Sequence, residues 1–418
     1  MARTGTGYQL QSAVIRKQRR DRMIVSERMY GLGSARSAIR ELFEYGKKRA
    51  AEVGAENIYD YSIGNPAVPS PDSVNETIVE LLRTEPSVQV HGYTSAQGDA
   101  DARQAIAEDL NRRFGTHFHK DNFYITCGAA AALTISLGAL VVPECDEVIA
   151  IAPFFAEYAV FAGNAGAKFL MVPPDTKNFQ IDMEALADMI GPKTRAVMIN
   201  SPNNPTGAVY SEETIKQLAA LLKEKSREFG HAIVILSDEP YRELVYDGLK
   251  VPFITKYYPN TIVCYSYSKS LSLPGERIGY VLVPDEMEEH DKVYAAVCGA
   301  GRSLGFVCAP SLMQKVVGRV TGQTSDISWY ENNRNILASG LKEIGYEFGE
   351  PQGAFYLFLK ALEDDTEAFC ERAKSFDLLL VSGVSFGCPG WVMLAYCVPT
   401  EMIKKSLPVF KKLYDSYK

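Results

Sequence analysis

Between about Asn122 and Pro284 the chain alternates short, unbroken apolar runs with helix-length segments, and few folds accept that pattern. Phe123-Tyr124-Ile125-Thr126 is followed, after Gly128, by a helical stretch from Ala129 to Val141. Val148-Ile149-Ala150-Ile151 and Phe169-Leu170-Met171-Val172 come next. A short helical segment with Met183, Leu186 and Met189 on one face leads into Ala196-Val197-Met198-Ile199. Glu212 to Phe229 carries Ile215, Leu218, Leu221 and Leu222 on one helical stripe. Ala232-Ile233-Val234-Ile235-Leu236, Ile262-Val263-Cys264 and Gly279-Tyr280-Val281-Leu282-Val283 complete the series. A strand with one wet face alternates polar and apolar residues; these runs do not. The pattern predicts an α/β fold, a mainly parallel central sheet sandwiched by helices.

Sheets of this kind collect ligands at the carboxyl ends of their strands. Here those ends carry Gly128, Asn203-Asn204, Asp238 with Tyr241, and Ser266 to Lys269. One polar residue after a strand is ordinary loop composition, but the repetition describes a site. Lys269 follows Ser266-Tyr267-Ser268, and Arg277 comes eight residues later. A lysine amine can hold an aldehyde cofactor as a Schiff base, while hydroxyls and a guanidinium hold that cofactor's phosphate. Pyridoxal 5'-phosphate has that chemistry.

At 418 residues the chain exceeds one ordinary core, so two lobes are expected. We read 71–309 as a large domain and 23–70 with 310–418 as a smaller α+β domain built from both chain ends. Its elements are a helix from Ser34 to Ala51, with Ile39, Leu42, Phe43 and Tyr45 inward, and the runs Ala354 to Phe358 and Trp391 to Leu394. Residues 1–22 form a basic arm without the apolar core of a secretory signal. A net charge of -7 argues against nucleic-acid binding, and no apolar stretch is long enough to span a bilayer. Eight cysteines without a C-x-x-C pair suit a reducing cytoplasm. The five histidines show no metal-ligand spacing, so no metal is expected.

From about Arg28 onward the sequence resembles the class I/II aminotransferases, pyridoxal-phosphate enzymes of fold type I. The resemblance rests on Ile63-Gly64-Asn65-Pro66, Tyr93, Gly128-Ala129-Ala130, Asn203-Asn204-Pro205-Thr206-Gly207, Asp238-Glu239-Pro240-Tyr241, Ser266-x-Ser268-Lys269, Arg277-x-Gly279-Tyr280 and Gln352-Gly353-Ala354-Phe355-Tyr356. Each motif is weak alone; their order and spacing are specific. The resemblance implies that Lys269 forms the Schiff base and serves as base and acid, and that Asp238 holds the pyridinium nitrogen protonated. Asn204 and Tyr241 would bond the ring oxygen, and Phe155 would stack on the ring. Gly128, Ala129, Ala130, Ser266, Ser268 and Arg277 would hold the phosphate, and Gly64 would line the substrate side. Tyr93 would cross from a second subunit, which implies a homodimer with shared active sites. The reaction implied moves an amino group between an amino acid and a 2-oxo acid.

Structural roles compete residue by residue. Asp238 could cap a helix, Arg277 could be a surface ion pair, and Asn204-Pro205-Thr206-Gly207 is good turn chemistry by itself. Tyr265-x-x-x-Lys269 matches a short-chain dehydrogenase pair, but no G-x-G-x-x-G follows a first strand. A regulator of the same fold would need a helix-turn-helix module, for which residues before Ile63 are unsuitably patterned.

One departure stands out. The family's carboxylate-binding arginine lies in Gly-x-x-Arg-x-x-Tyr, and the matching stretch, Gly390 to Tyr396, has Met393 in its place. Another cation such as Arg302, transamination of an unusual amine that lacks an α-carboxylate or presents it elsewhere, or a C–S β-elimination are the alternatives. Phe355, Tyr356, Trp391 and Met393 would form an apolar wall favouring aromatic or apolar donors.

Overall fold

The computed structural model describes residues 24–34 and 38–418, so the basic arm of residues 1–22 lies outside the described residues. In chain order its strands are β1 (Tyr59–Asp60), β2 (Phe123–Thr126), β3 (Glu147–Ile151), β4 (Lys168–Val172), β5 (Thr194–Asn200) and β6 (Val234–Asp238). They continue with β7 (Thr261–Ser266), β8 (Gly279–Leu282), β9 (Tyr356–Lys360), β10 (Leu378–Leu379), β11 (Val381–Ser382) and β12 (Trp391–Ala395). The central sheet has seven strands in the order β2-β8-β7-β6-β5-β3-β4. Strands β4, β3, β5, β6 and β7 run parallel, and β8 lies antiparallel between β7 and β2. Every residue of β6 and β7 is buried, as runs covered on both faces require.

Register brings the strand ends together. Asn200 pairs with Asp238, Asp238 with Cys264, and Ser266 with Gly279, so β5, β6 and β7 deliver polar residues to one edge, beside the start of β8. The helix Glu212–Phe229 matches its expected bounds; the Ser211 hydroxyl accepts from the Thr214 amide at 3.0 Å, and Gly230 ends it in the left-handed region.

Both flanks meet beside this edge. β9, β12 and β11 form a three-stranded antiparallel sheet, and β1 pairs in parallel with β10. The Ala395 amide donates to the Tyr61 carbonyl at 2.8 Å, tying the two flanks together. Several boundaries differ from expectation; the strand expected from Ala354, for one, spans Tyr356–Lys360. The helix expected from Ser34 spans Ala38–Val53, and Ser34 instead ends a separate helix, Glu27–Ser34. Ala232 and Ile233 precede β6, because the first ladder pair of that strand is Ala196 with Val234.

Candidate active site

β7 ends at Ser266, whose hydroxyl accepts from the Ser268 amide at 3.2 Å and starts the short helix Tyr267–Ser270. That turn points Lys269 into a cavity of about 330 Å³. Its amine donates to the Gly64 carbonyl oxygen at 2.8 Å and lies 5.3 Å from the Phe355 ring centroid. Burial brings the amine down to about 8, against the nearby Cys397 and with help from Arg277. Gly64 must be glycine, because a Cβ there would collide with the Tyr356 hydroxyl.

Asp238 closes β6 and is fully enclosed. The Tyr158 phenol donates to its Oδ2 at 2.5 Å, while Oδ1 has no partner among the described residues. Burial raises this carboxyl to about 7 despite the bond from Tyr158. The following loop is fixed by a buried guanidinium: Arg242 donates to Glu239 at 3.0 Å and to the Tyr280 hydroxyl at 2.9 Å. Tyr241 is thereby held with its hydroxyl 2.9 Å from that of Tyr356. Asn200 couples two of the expected residues: its Nδ2 donates to the Asp238 carbonyl at 2.8 Å, and its Oδ1 accepts from the Asn204 amide at 2.7 Å. The Oδ1 of Asn204 is buried without a partner among the described residues.

At the other end of the cavity, Ala129 and Ala130 open the helix Ala129–Leu140, whose N-cap, Gly128, supplies no side-chain cap. Gly128 sits at φ 85 and ψ 177, and a Cβ there would fall 2.9 Å from the Arg277 guanidinium. Arg277 donates to the Pro274 carbonyl at 2.9 Å, and the Ser266 and Ser268 hydroxyls lie 2.8 Å apart. Unpaired helix-start amides, two hydroxyls and a guanidinium make an anion site.

Most of the expected residues line this one cavity: Gly64, Ala129, Ala130, Phe155, Asn204, Asp238, Tyr241, Ser266, Ser268, Lys269, Arg277 and Met393. Gly128 stands behind Arg277 as its backing. Tyr93 and Arg302 do not line it; the Tyr93 side chain is 99% exposed, and Arg302 lies in the last turn of the helix His290–Ser303. The expected apolar wall is also corrected. Tyr356 and Met393 belong to it, whereas Trp391 stacks on Phe358 and Phe355 packs behind Tyr241; Phe386 and Ile63 take their places. Tyr158, Asn200 and Phe386 were not anticipated. Only the one-turn spacing from Phe155 to Tyr158 could have signalled the first.

The family described as aminotransferase class I and II matches residues 55–409. The chain belongs to that family. It is 31% identical to an aspartate aminotransferase of Thermotoga maritima, over 88% of this chain and 95% of that one. It is 28% identical to an aromatic-amino-acid aminotransferase of Thermococcus litoralis, over 91% of this chain and 96% of that one. Among solved structures, an amino transferase from Eubacterium rectale superposes with TM-score 0.94 at 62% identity, covering 95% of this chain and all of the other. The aspartate aminotransferase of Thermus thermophilus, solved with maleate, gives TM-score 0.81 at 25% identity over 94% of this chain and all of the other. This aminotransferase is therefore a pyridoxal-phosphate enzyme of fold type I that transfers an amino group between an amino acid and a 2-oxo acid. Its family favours transamination over elimination.

The cavity fits that cofactor. A buried acceptor without a partner costs about 1–3 kcal/mol, and Asp238 and Asn204 each present one. A protonated ring nitrogen and a ring hydroxyl group are the complementary chemistry. When bound, the cofactor supplies an electron sink for the bonds at the substrate's α-carbon.

Proposed function

We propose that Lys269 carries the Schiff base and the proton, and that the preferred donor is an α-amino acid with a neutral, apolar side chain. The observation behind the first part is convergence: Lys269, Asp238, Asn204 and Arg277 all line one cavity, and Asp238 and Asn204 each keep a buried oxygen without a partner among the described residues. An amine near pKa 8 is neutral often enough at pH 7 to act as a base, and once protonated it is a usable acid. Lys269 Nζ would take the α-proton of the substrate and return it to the cofactor carbon on the far side of the amino nitrogen. Asp238 Oδ1 would hold a proton on the ring nitrogen, and Tyr241 and Asn204 would fix the ring oxygen. Phe155 would cover the ring face. Gly128, Ala129, Ala130, Ser266, Ser268 and Arg277 would hold the phosphate.

The second part follows from what the wall lacks. Lys269 and Arg277 are the only cations lining the cavity among the described residues, and both serve the cofactor in this reading. Ile63, Tyr356, Phe386 and Met393 offer a side chain only apolar contact and one hydroxyl. Met393 is buried in β12 and cannot hold a carboxylate. We assign that task to Arg302 of a second copy, and read the fully exposed Tyr93 as reaching the phosphate of that copy's site. A homodimer with shared sites, residing in the cytoplasm, is thus part of the proposal. The free state of all eight cysteines suits that compartment, and no described helix is long and apolar enough to cross a membrane. We also retain the division into a large domain, 71–309, and a small one from both flanks, supported by the pairing of β1 with β10.

A donor screen tests this: single-turnover amino transfer should be fastest with leucine-, methionine- or phenylalanine-like donors. Fastest transfer from aspartate or glutamate would remove the substrate assignment.

A further inference from the structure

Tyr158 lies in the first turn of the helix Glu157–Asn164, with its ring packed edge-on against Phe155 at 5.8 Å and stacked near Phe154 at 6.4 Å. Its phenol is buried and reaches Asp238 Oδ2 at 2.5 Å, while Asp238, which lines the cavity, keeps Oδ1 buried and without a partner among the described residues. A carboxylate is free to turn about its last bond unless one oxygen is held. The backbone here is fixed independently, by Asn200 on the Asp238 carbonyl and by the Glu239 amide on the Cys264 carbonyl at 2.9 Å. Among the described residues Tyr158 therefore contributes the one side-chain bond on this carboxylate.

We propose that Tyr158 is a positioning residue that locks Asp238 with Oδ1 aimed at the cofactor's ring nitrogen and keeps that carboxyl ionised. The inference rests on the reading of Asp238 given above. Burial pushes the Tyr158 phenol well above its ordinary range, so it stays protonated and always donates. The other groups facing Asp238 do not substitute for it. Glu239 opposes ionisation and is itself paired with Arg242; Tyr241 and Cys264 are neutral, each raised chiefly by burial. The same ring also backs Phe155, so one residue sets both the ring-stacking side chain and the proton-holding one.

Tyr158→Phe keeps the ring and removes only the hydroxyl. In the apoenzyme, infrared titration of the Asp238 carboxyl, identified by its loss in Asp238→Asn, should move to higher pH in Tyr158→Phe. Equilibrium dialysis should show cofactor affinity falling about tenfold, the range for one hydrogen bond to a charged group. In the Asp238→Asn background the same change should have little further effect. Should the phenylalanine variant not fold, 3-fluorotyrosine at position 158, a stronger donor, must move the Asp238 titration to lower pH. An unmoved titration, or equal losses of affinity in both backgrounds, overturns the proposal. If Asp238→Asn alone leaves cofactor affinity intact, the assignment of Asp238 fails instead, whatever the titration shows.

Discussion

The Lys269 amine and the Gly64 carbonyl oxygen lie 2.8 Å apart, which ties the lysine of one flank of the cavity to a loop of the other. The amine waits there with its proton held loosely, because burial lowers it to about 8. Only the neutral amine attacks an aldehyde. The rate of cofactor uptake by the apoenzyme should therefore climb with pH through about 8 and level off above it, as followed by stopped-flow absorbance. A climb centred near the ordinary lysine value would contradict the account.

Gly128→Ala should weaken cofactor binding rather than fold stability alone. Its backbone, φ 85 and ψ 177, is a conformation that costs other residues about 1–3 kcal/mol, and the new methyl would press on Arg277. Loss of about ten- to hundredfold in cofactor affinity is expected from that range. Fluorescence titration of the apoenzyme with pyridoxal phosphate measures it.

Met393→Arg should restore a cation at the position where the family keeps one. A bidentate pair with a carboxylate contributes about 1.5–3 kcal/mol, so KM for simple α-amino acids should fall about tenfold or more. No gain across a donor panel would show that the substrate carboxylate binds elsewhere.

Arg302→Ala should raise KM for every α-amino acid donor alike, with kcat changed far less, if the second copy's Arg302 holds the α-carboxylate. A selective loss for acidic donors would move Arg302 to the side-chain end of the site.

Inactive Lys269→Ala mixed with weakened Tyr93→Ala should recover activity if sites are shared. A hybrid dimer then holds one site with both wild-type residues. Activity no greater than that of the two parents together would mean that Tyr93 serves its own chain or none.

The sheet and the site were legible to different degrees. Unbroken apolar runs gave β5, β6 and β7 within a few residues, because burial on both faces leaves no room for polar side chains. Sheet order was not readable: β8 sits between β7 and β2 through pairs such as Thr126 with Gly279, which are far apart in sequence and marked by no local signal. Lys269, Asp238 and Arg277 were found because charges after strands are conspicuous. Tyr158 and Asn200 were not. A tyrosine inside Glu157-Tyr158-Ala159-Val160-Phe161 reads as core, and a terminal strand asparagine reads as loop, until the fold places each against Asp238. Tyr93 and Arg302 belong to a different class: neither lines the cavity of this chain, and their roles rest on the proposed second copy.

Borohydride reduction of the holoenzyme followed by peptide mass spectrometry tests the central assignment most directly. The account predicts a phosphopyridoxyl adduct on Lys269, absent from Lys269→Ala together with its turnover. An adduct on another lysine, or full transaminase activity without Lys269, would contradict it.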